Sequence, residues 1–150
     1  MKHLKTFLTV PLAALLLLSS CGKDSPPNQP AESKFTWTYN GTNYVAKQHA
    51  ADTSGIGAPS IVAGMQVSPF VGPTGMRIKL SGLQQGTYTI TSNGANRFEY
   101  IDDAGYVEIG TSGSLNITKN TGTLLSGNFS VTLINTKTIT GEFVNTTIKP

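Results

Sequence analysis

The sequence predicts an all-β fold, an antiparallel β-sandwich of about eight or nine strands over residues 34–150, with a partly closed β-barrel as the alternative. Three observations predict it. From Lys34 onward apolar residues recur with a period of two rather than 3.6, and no segment reads as a long helix. Threonine supplies 18 of the 117 residues from Lys34 to Pro150, a β-branched surplus that suits half-buried strands. Gly, Pro and Asn recur between the alternating runs, where an antiparallel sheet needs its turns.

The elements follow in order. Phe35, Trp37 and Tyr39 alternate with Thr36 and Thr38, Asn40-Gly41 marks a two-residue hairpin, and Asn43 to Gln48 returns. That hairpin pairs Trp37 with Tyr44 and Phe35 with Ala46 on one apolar face. His49 to Pro59 reads as a loop of small residues. Ile61, Ala63, Met65 and Val67 then alternate as a strand, which Pro69 to Gly75 breaks. Met76, Ile78 and Leu80 face the core, opposite Arg77, Lys79 and Ser81. A turn at Gly82 to Gly86 leads to Thr87–Thr91, with Tyr88 and Ile90 inward.

Arg97 to Ile101 and Tyr106 to Ile109 flank Asp102-Asp103-Ala104-Gly105 as another hairpin, which admits two registers. A tip at Asp103-Ala104 puts Phe98 and Tyr100 on the face of Val107 and Ile109, and sets Glu99 opposite Glu108. A three-residue loop ending at Gly105 shifts the pairing by one and reverses those faces. Leu115 and Ile117, then Phe129, Val131 and Leu133, then Ile139 and Phe143 form a closing meander.

Ahead of this domain, Lys2 and Lys5 precede an apolar stretch, Phe7 to Leu18, which is short for a span of ~20 residues and has the build of a secretory signal. Leu18-Ser19-Ser20-Cys21 resembles the lipobox of bacterial lipoproteins. The resemblance implies cleavage before Cys21 and acylation of that cysteine, palmitate being typical of the chains attached. Residues 1–20 are then a signal peptide, and residues 21–33 are a lipidated cysteine and a Pro-rich spacer. At ~0.8 kcal/mol per buried methylene, several acyl chains hold a protein on a membrane without a transmembrane helix. Lys23-Asp24 resembles the charged tag that directs many Bacteroidota lipoproteins to the outer face of the outer membrane. Both faces of that membrane stay open.

Cys21 is the only cysteine, so the mature domain has none for a disulfide, a thiolate nucleophile or a zinc-thiolate site. Lys2 and Lys5 leave with the signal, so 11 basic residues become nine against eight acidic ones. Nothing in that balance recruits nucleic acid.

Asn40-Gly41-Thr42 with Tyr44-Val45-Ala46, Gly86-Thr87-Tyr88, Gly113 to Lys119, Ser126 to Leu133, and Ile139 to Ile148 together resemble a family of uncharacterised Bacteroidota lipoproteins. That resemblance implies a single small β-domain behind a lipoprotein signal. It carries over no activity and no catalytic residue.

The candidate sites are few. His49 and Asp52, three residues apart, are an acid–base pair in search of a nucleophile, or else residues of an exposed loop. Asp102 and Asp103 are candidate calcium ligands or turn formers. Glu99 and Glu108, opposed in the tighter register, are a repelling pair with Arg97 nearby or the two carboxylates of a glycoside hydrolase. Trp37, Tyr39, Tyr44, Tyr88, Phe98, Tyr100 and Tyr106 supply rings for a core or for stacking on sugars. Tyr106 with Arg97 and Glu99 is the candidate ligand-binding group.

The expectation is a membrane-anchored cell-envelope lipoprotein of the outer membrane. It is read as a non-enzymatic binding or structural module that recognises a glycan or an envelope protein and needs no cofactor. A small apolar-ligand carrier with a barrel-like interior is the alternative, and a hydrolase using surface carboxylates is the second.

Overall fold

The computed structural model describes residues 32–54, 59–65 and 74–150. The expected signal peptide, the lipobox-like Leu18, Ser19, Ser20 and Cys21, Lys23-Asp24 and the expected spacer as far as residue 31 lie outside them. So do Gln66 and Val67 of the strand expected from Ile61 to Val67, and most of the break expected after it.

The described residues form ten strands and no helix. The first five are β1 (Lys34–Tyr39), β2 (Thr42–Val45), β3 (Gln48–Asp52), β4 (Ser60–Gly64) and β5 (Gly75–Lys79). Then come β6 (Gly86–Thr91), β7 (Arg97–Ile101), β8 (Val107–Asn120), β9 (Leu124–Leu133) and β10 (Thr138–Lys149). Asn40 and Gly41 both take positive φ, 51° and 77°, the backbone a twisted two-residue hairpin demands. Trp37 faces Tyr44 across that hairpin, and the Ala46 amide donates to the Phe35 carbonyl, as the sequence predicts.

Two layers can be traced. One runs β2-β1-β10-β9-β8-β6, and the other β3-β4-β5-β7. Two long strands join them at opposite ends. β8 pairs with β7 over Val107 to Ile109, shifts register between Gly110 and Ser112, and then pairs with β6 from Ser112 to Ile117. β10 pairs with β1 from Ile139 to Val144, shifts register between Phe143 and Thr146, and meets β3 in parallel at Ile148 and Lys149. Each bulge sits where its strand changes partner, because an extra residue bends the strand and turns its hydrogen-bonding edge toward the other layer. The result is a closed seven-strand barrel of β3, β4, β5, β7, β8, β9 and β10, with β1, β2 and β6 attached. Of the two architectures predicted, the structure takes the barrel and closes it fully.

Gly110 shows what the β8 corner requires. A Cβ there would come within 2.7 Å of a Val131 methyl and 2.8 Å of the Phe98 Cβ, so only glycine lets the layers approach.

The interior is filled by side chains. The Phe35 ring centroid lies 5.9 Å from that of Phe129 and 5.8 Å from that of Phe143, and Phe98 lies 5.6 Å from Phe129. Ile61, Ile78, Ile90, Leu115, Ile117, Val131 and Ile139 are buried around them. Sequence reasoning ends a strand at Gln48 and makes His49 to Asp52 part of a loop, but Gln48–Asp52 is a strand of its own. Its small residues carry little apolar pattern, and its pairing comes from β4 and from the distant end of β10. Likewise, Tyr106–Ile109 and the Leu115 segment are one bent 14-residue strand rather than two.

Candidate functional site

The β7–β8 hairpin takes the three-residue loop. Ile101 faces Val107 and Glu99 faces Ile109, the Asp102 amide donates to the Tyr106 carbonyl, and the Gly105 amide donates to the Asp102 carbonyl. Gly105, at φ 85°, supplies the left-handed residue this loop needs. The face sharing of the tighter register is therefore overturned. Phe98 and Tyr100 are buried, while Val107 and Ile109 point outward.

Glu99 and Glu108 consequently do not oppose each other. Glu99 stands on the outside with Arg77 at 3.8 Å, both half-exposed. Glu108 lies opposite Tyr100 on the other face, where its Oε1 accepts from Asn135 Nδ2 at 2.9 Å. The same amide donates to the Tyr39 hydroxyl at 3.0 Å. No two-carboxylate site is built from this pair.

Tyr106 is exposed, but it is remote from Arg97. Arg97 begins β7, four residues or ~13 Å from Ile101 at the other end. Its Nε donates to the Gly94 carbonyl at 3.0 Å. Tyr106, Arg97 and Glu99 thus do not converge. Asp102 acts as a turn former: one carboxylate oxygen accepts the Ala104 and Tyr106 amides, each at 2.9 Å. Asp103 accepts from the hydroxyl of buried Thr74. Among the described residues no group of three His, Cys, Asp or Glu is placed to hold a metal.

His49 shares the inward face of β3 with buried Ala51. Its ring lies 5.8 Å from Phe35, its Nδ1 is 3.0 Å from the Thr146 hydroxyl, and its Nε2 is 3.5 Å from the Ser33 hydroxyl. Half-burial lowers its pKa, because desolvation disfavours the imidazolium. Asp52, three residues along, falls on the opposite face and accepts the Ser54 amide at 2.9 Å. The spacing that suggests an acid–base pair in a loop separates the two in a strand.

Most of the rings are core. Trp37, Phe98 and Tyr100 are buried, and Tyr39, Tyr44 and Tyr88 pack against them. Trp37 stacks on Tyr44 at 5.2 Å with 9° between planes, yet its Nε1 is buried without an acceptor at hydrogen-bonding geometry. The Tyr100 hydroxyl is close enough for the indole dipole to act on it, but burial dominates and pushes its pKa up.

Sequence reasoning missed an open groove of about 530 Å³ on the outer side of β2-β1-β10-β9. Register creates it. Thr36 pairs with Val45 and Glu142, Thr38 with Asn43 and Thr140, and Glu142 with Asn128, so the outward halves of four strands, polar here except for Val45, fall on one face. Trp37, Tyr44, Phe129 and Gly141, whose alternation points inward, also line it. The Thr38 hydroxyl donates to Asn43 Oδ1 at 2.6 Å, and Lys34 meets Glu142 at 3.8 Å. Hydroxyls and amides both donate and accept, so this face offers paired hydrogen bonds with one carboxylate among its lining. The alternation that reveals the core also reveals these Thr and Asn residues as outward. Only the pairing of β1 with β10, a hundred residues apart, collects them.

No protein-family model matches this chain, and no curated protein or solved structure does.

Proposed function

We propose that this chain is a membrane-anchored envelope lipoprotein, held through Cys21, whose β-domain is a non-enzymatic binding module. Its ligand face is the Thr/Asn groove across β2-β1-β10-β9, and its ligand class is a neutral, hydroxyl-rich molecule such as a glycan. The observation that carries this reading is the convergence of Thr36, Thr38, Asn43, Asn128 and Thr140 on one concave surface within the ~300–1,000 Å³ usual for ligand sites. Hydroxyl and amide groups match sugar hydroxyls in donor and acceptor capacity without the desolvation cost that charges impose. Two further facts favour binding over turnover: the Glu99–Glu108 and His49–Asp52 pairs are each split between opposite faces. The interior, packed with phenylalanine rings, favours a surface ligand over a carried apolar one.

The test uses the full chain produced with its leader and purified in detergent, titrated calorimetrically with a panel of neutral and acidic oligosaccharides. A neutral sugar is expected to bind, with Asn128→Ala and Thr140→Val each weakening it about tenfold, one hydrogen bond to a neutral group being ~1–1.5 kcal/mol. Binding that survives both substitutions unchanged moves the site elsewhere. Protease shaving of intact cells, with a periplasmic protein as leak control, reports which side of the outer membrane the module serves.

A further inference from the structure

We propose that the outer wall at the β7–β8–β9 corner is a lipid-contact face, which rests the tethered domain against a bilayer of zwitterionic lipid. Three large apolar side chains are exposed there, Val107 at 60%, Ile109 at 43% and Ile134 at 65%, and Tyr106, exposed at 72%, stands in the loop directly before Val107. They are neighbours. Val107 and Ile109 are two residues apart on β8 and share its outward face, and the Ile134 amide donates to the Ile109 carbonyl at 2.9 Å. Ile101 pairs with Val107 and extends the row onto β7. The other large exposed apolar side chains among the described residues, Val45 and Val144, belong to β2 and β10.

The occupant follows from area, charge and reach. At these exposures the four side chains present roughly 500 Å², as large as the largest patches on ordinary monomers. That is less than the ~800 Å² each partner gives to a stable protein interface, so a second copy is poorly matched. A bilayer requires no minimum area, since each inserted group adds independently, and a tyrosine suits the headgroup boundary with its ring below and its hydroxyl above. Asp102, Asp103 and the Arg77–Glu99 ion pair border the patch, and the one cation in the turn that carries Ile134, Lys137, lies over the Tyr39 ring, so the described surroundings carry no net positive charge to favour anionic lipid.

The inference rests on the reading that Cys21 carries lipid, and the tether is long enough for it. The eleven residue steps from Cys21 to Glu32 extend at most ~40 Å. The chain enters the domain at Glu32 and Ser33, where the Asn145 side chain donates to the Glu32 carbonyl and the Ser33 hydroxyl donates to the Asn145 carbonyl, each at 3.0 Å. From Asn145 back to Thr138, level with the β9 end that carries Ile134, β10 runs ~23 Å.

The test places Y106W in the full-length protein reconstituted into phosphatidylcholine vesicles brominated on the acyl chains. The added emission is expected to fall by at least half relative to unbrominated vesicles, while buried Trp37 in the wild type is unaffected. I109S with I134S in the same background is expected to restore it. Emission of Y106W that bromine leaves unquenched overturns the inference, as does quenching that the two serines do not relieve. Loss of a dimer on the I109S/I134S change, seen by sedimentation without any quenching, reassigns the face to a second copy. The mass of the N-terminal peptide separately reports acylation, and a bare Cys21 overturns the tether and this face with it, leaving the groove untouched.

Discussion

Replacing Trp37 by phenylalanine is expected to change stability by less than about 1 kcal/mol, although Trp37 is almost wholly buried. Two contributions oppose. Losing the outer ring of the indole removes roughly 45 Å² of apolar contact, ~1.1 kcal/mol at ~25 cal/mol per Å². It also leaves a void of roughly 35–40 Å³, worth ~0.9 kcal/mol at ~24 cal/mol per Å³. Against that loss of ~2 kcal/mol stands the Nε1 hydrogen, buried with no acceptor at bonding geometry. An orphan donor costs the folded state ~1–3 kcal/mol, which phenylalanine removes, while its ring keeps the stack on Tyr44. The assay is urea unfolding followed by far-UV circular dichroism, with Phe98→Ala as the reference for a buried ring that has no polar atom, expected to lose ~3–5 kcal/mol. A loss above 3 kcal/mol for Trp37→Phe would refute the reasoning. It would mean that the indole hydrogen has a true partner, the Tyr100 hydroxyl, and Tyr100→Phe in a double-mutant cycle would then show coupling.

Three more outcomes are expected. His49 has a folded pKa below that of the unfolded chain, so the unfolded state takes up the proton first; stability is full above the ordinary imidazole value near 6.5 and falls as pH drops through it. Thermal melts of His49→Gln should lose that acid-side slope, and an unchanged slope would assign it to the carboxylates. Asp102→Ala frees two amides at the β7–β8 loop and should cost ~1–2 kcal/mol, seen as a lower melting temperature, with Asp102→Asn recovering part of it. Gly110→Ala forces a methyl against Val131 and Phe98 and should cost ~1–3 kcal/mol by the same urea assay, whereas Gly122→Ala in the exposed turn meets no neighbouring atom and should act only through its positive φ.

Local signals were legible and non-local ones were not. Period-two alternation identifies Phe35, Trp37, Ile78, Phe129 and Ile139 as core, because a strand's two faces are a property of the strand alone. Asn40-Gly41 fixes its hairpin because positive φ at both positions is a local demand. The Asp102 to Gly105 loop gives no such answer, since both registers satisfy its residues. The choice is made by burial of Phe98 and Tyr100 against strands far away in sequence. β3 has almost no apolar pattern and exists by virtue of its partners. The groove is the extreme case: each of its residues was visible as outward-facing, but their meeting depends on β1 lying beside β10.

That long-range pairing also governs when the domain can form. Phe35 finds its backbone partner at Phe143, and Ala51 finds the strand that seals the ring at Ile148. Until β10 is present, the first hairpin has one unsatisfied side and the barrel remains an open sheet. Topologies dominated by such distant pairings fold in milliseconds to seconds, rather than microseconds. For a chain threaded through a membrane in an extended state, as the proposed leader requires, this order of events is protective. The early strands cannot lock into a barrel that would jam the channel, and closure waits for β10, which follows them in the chain.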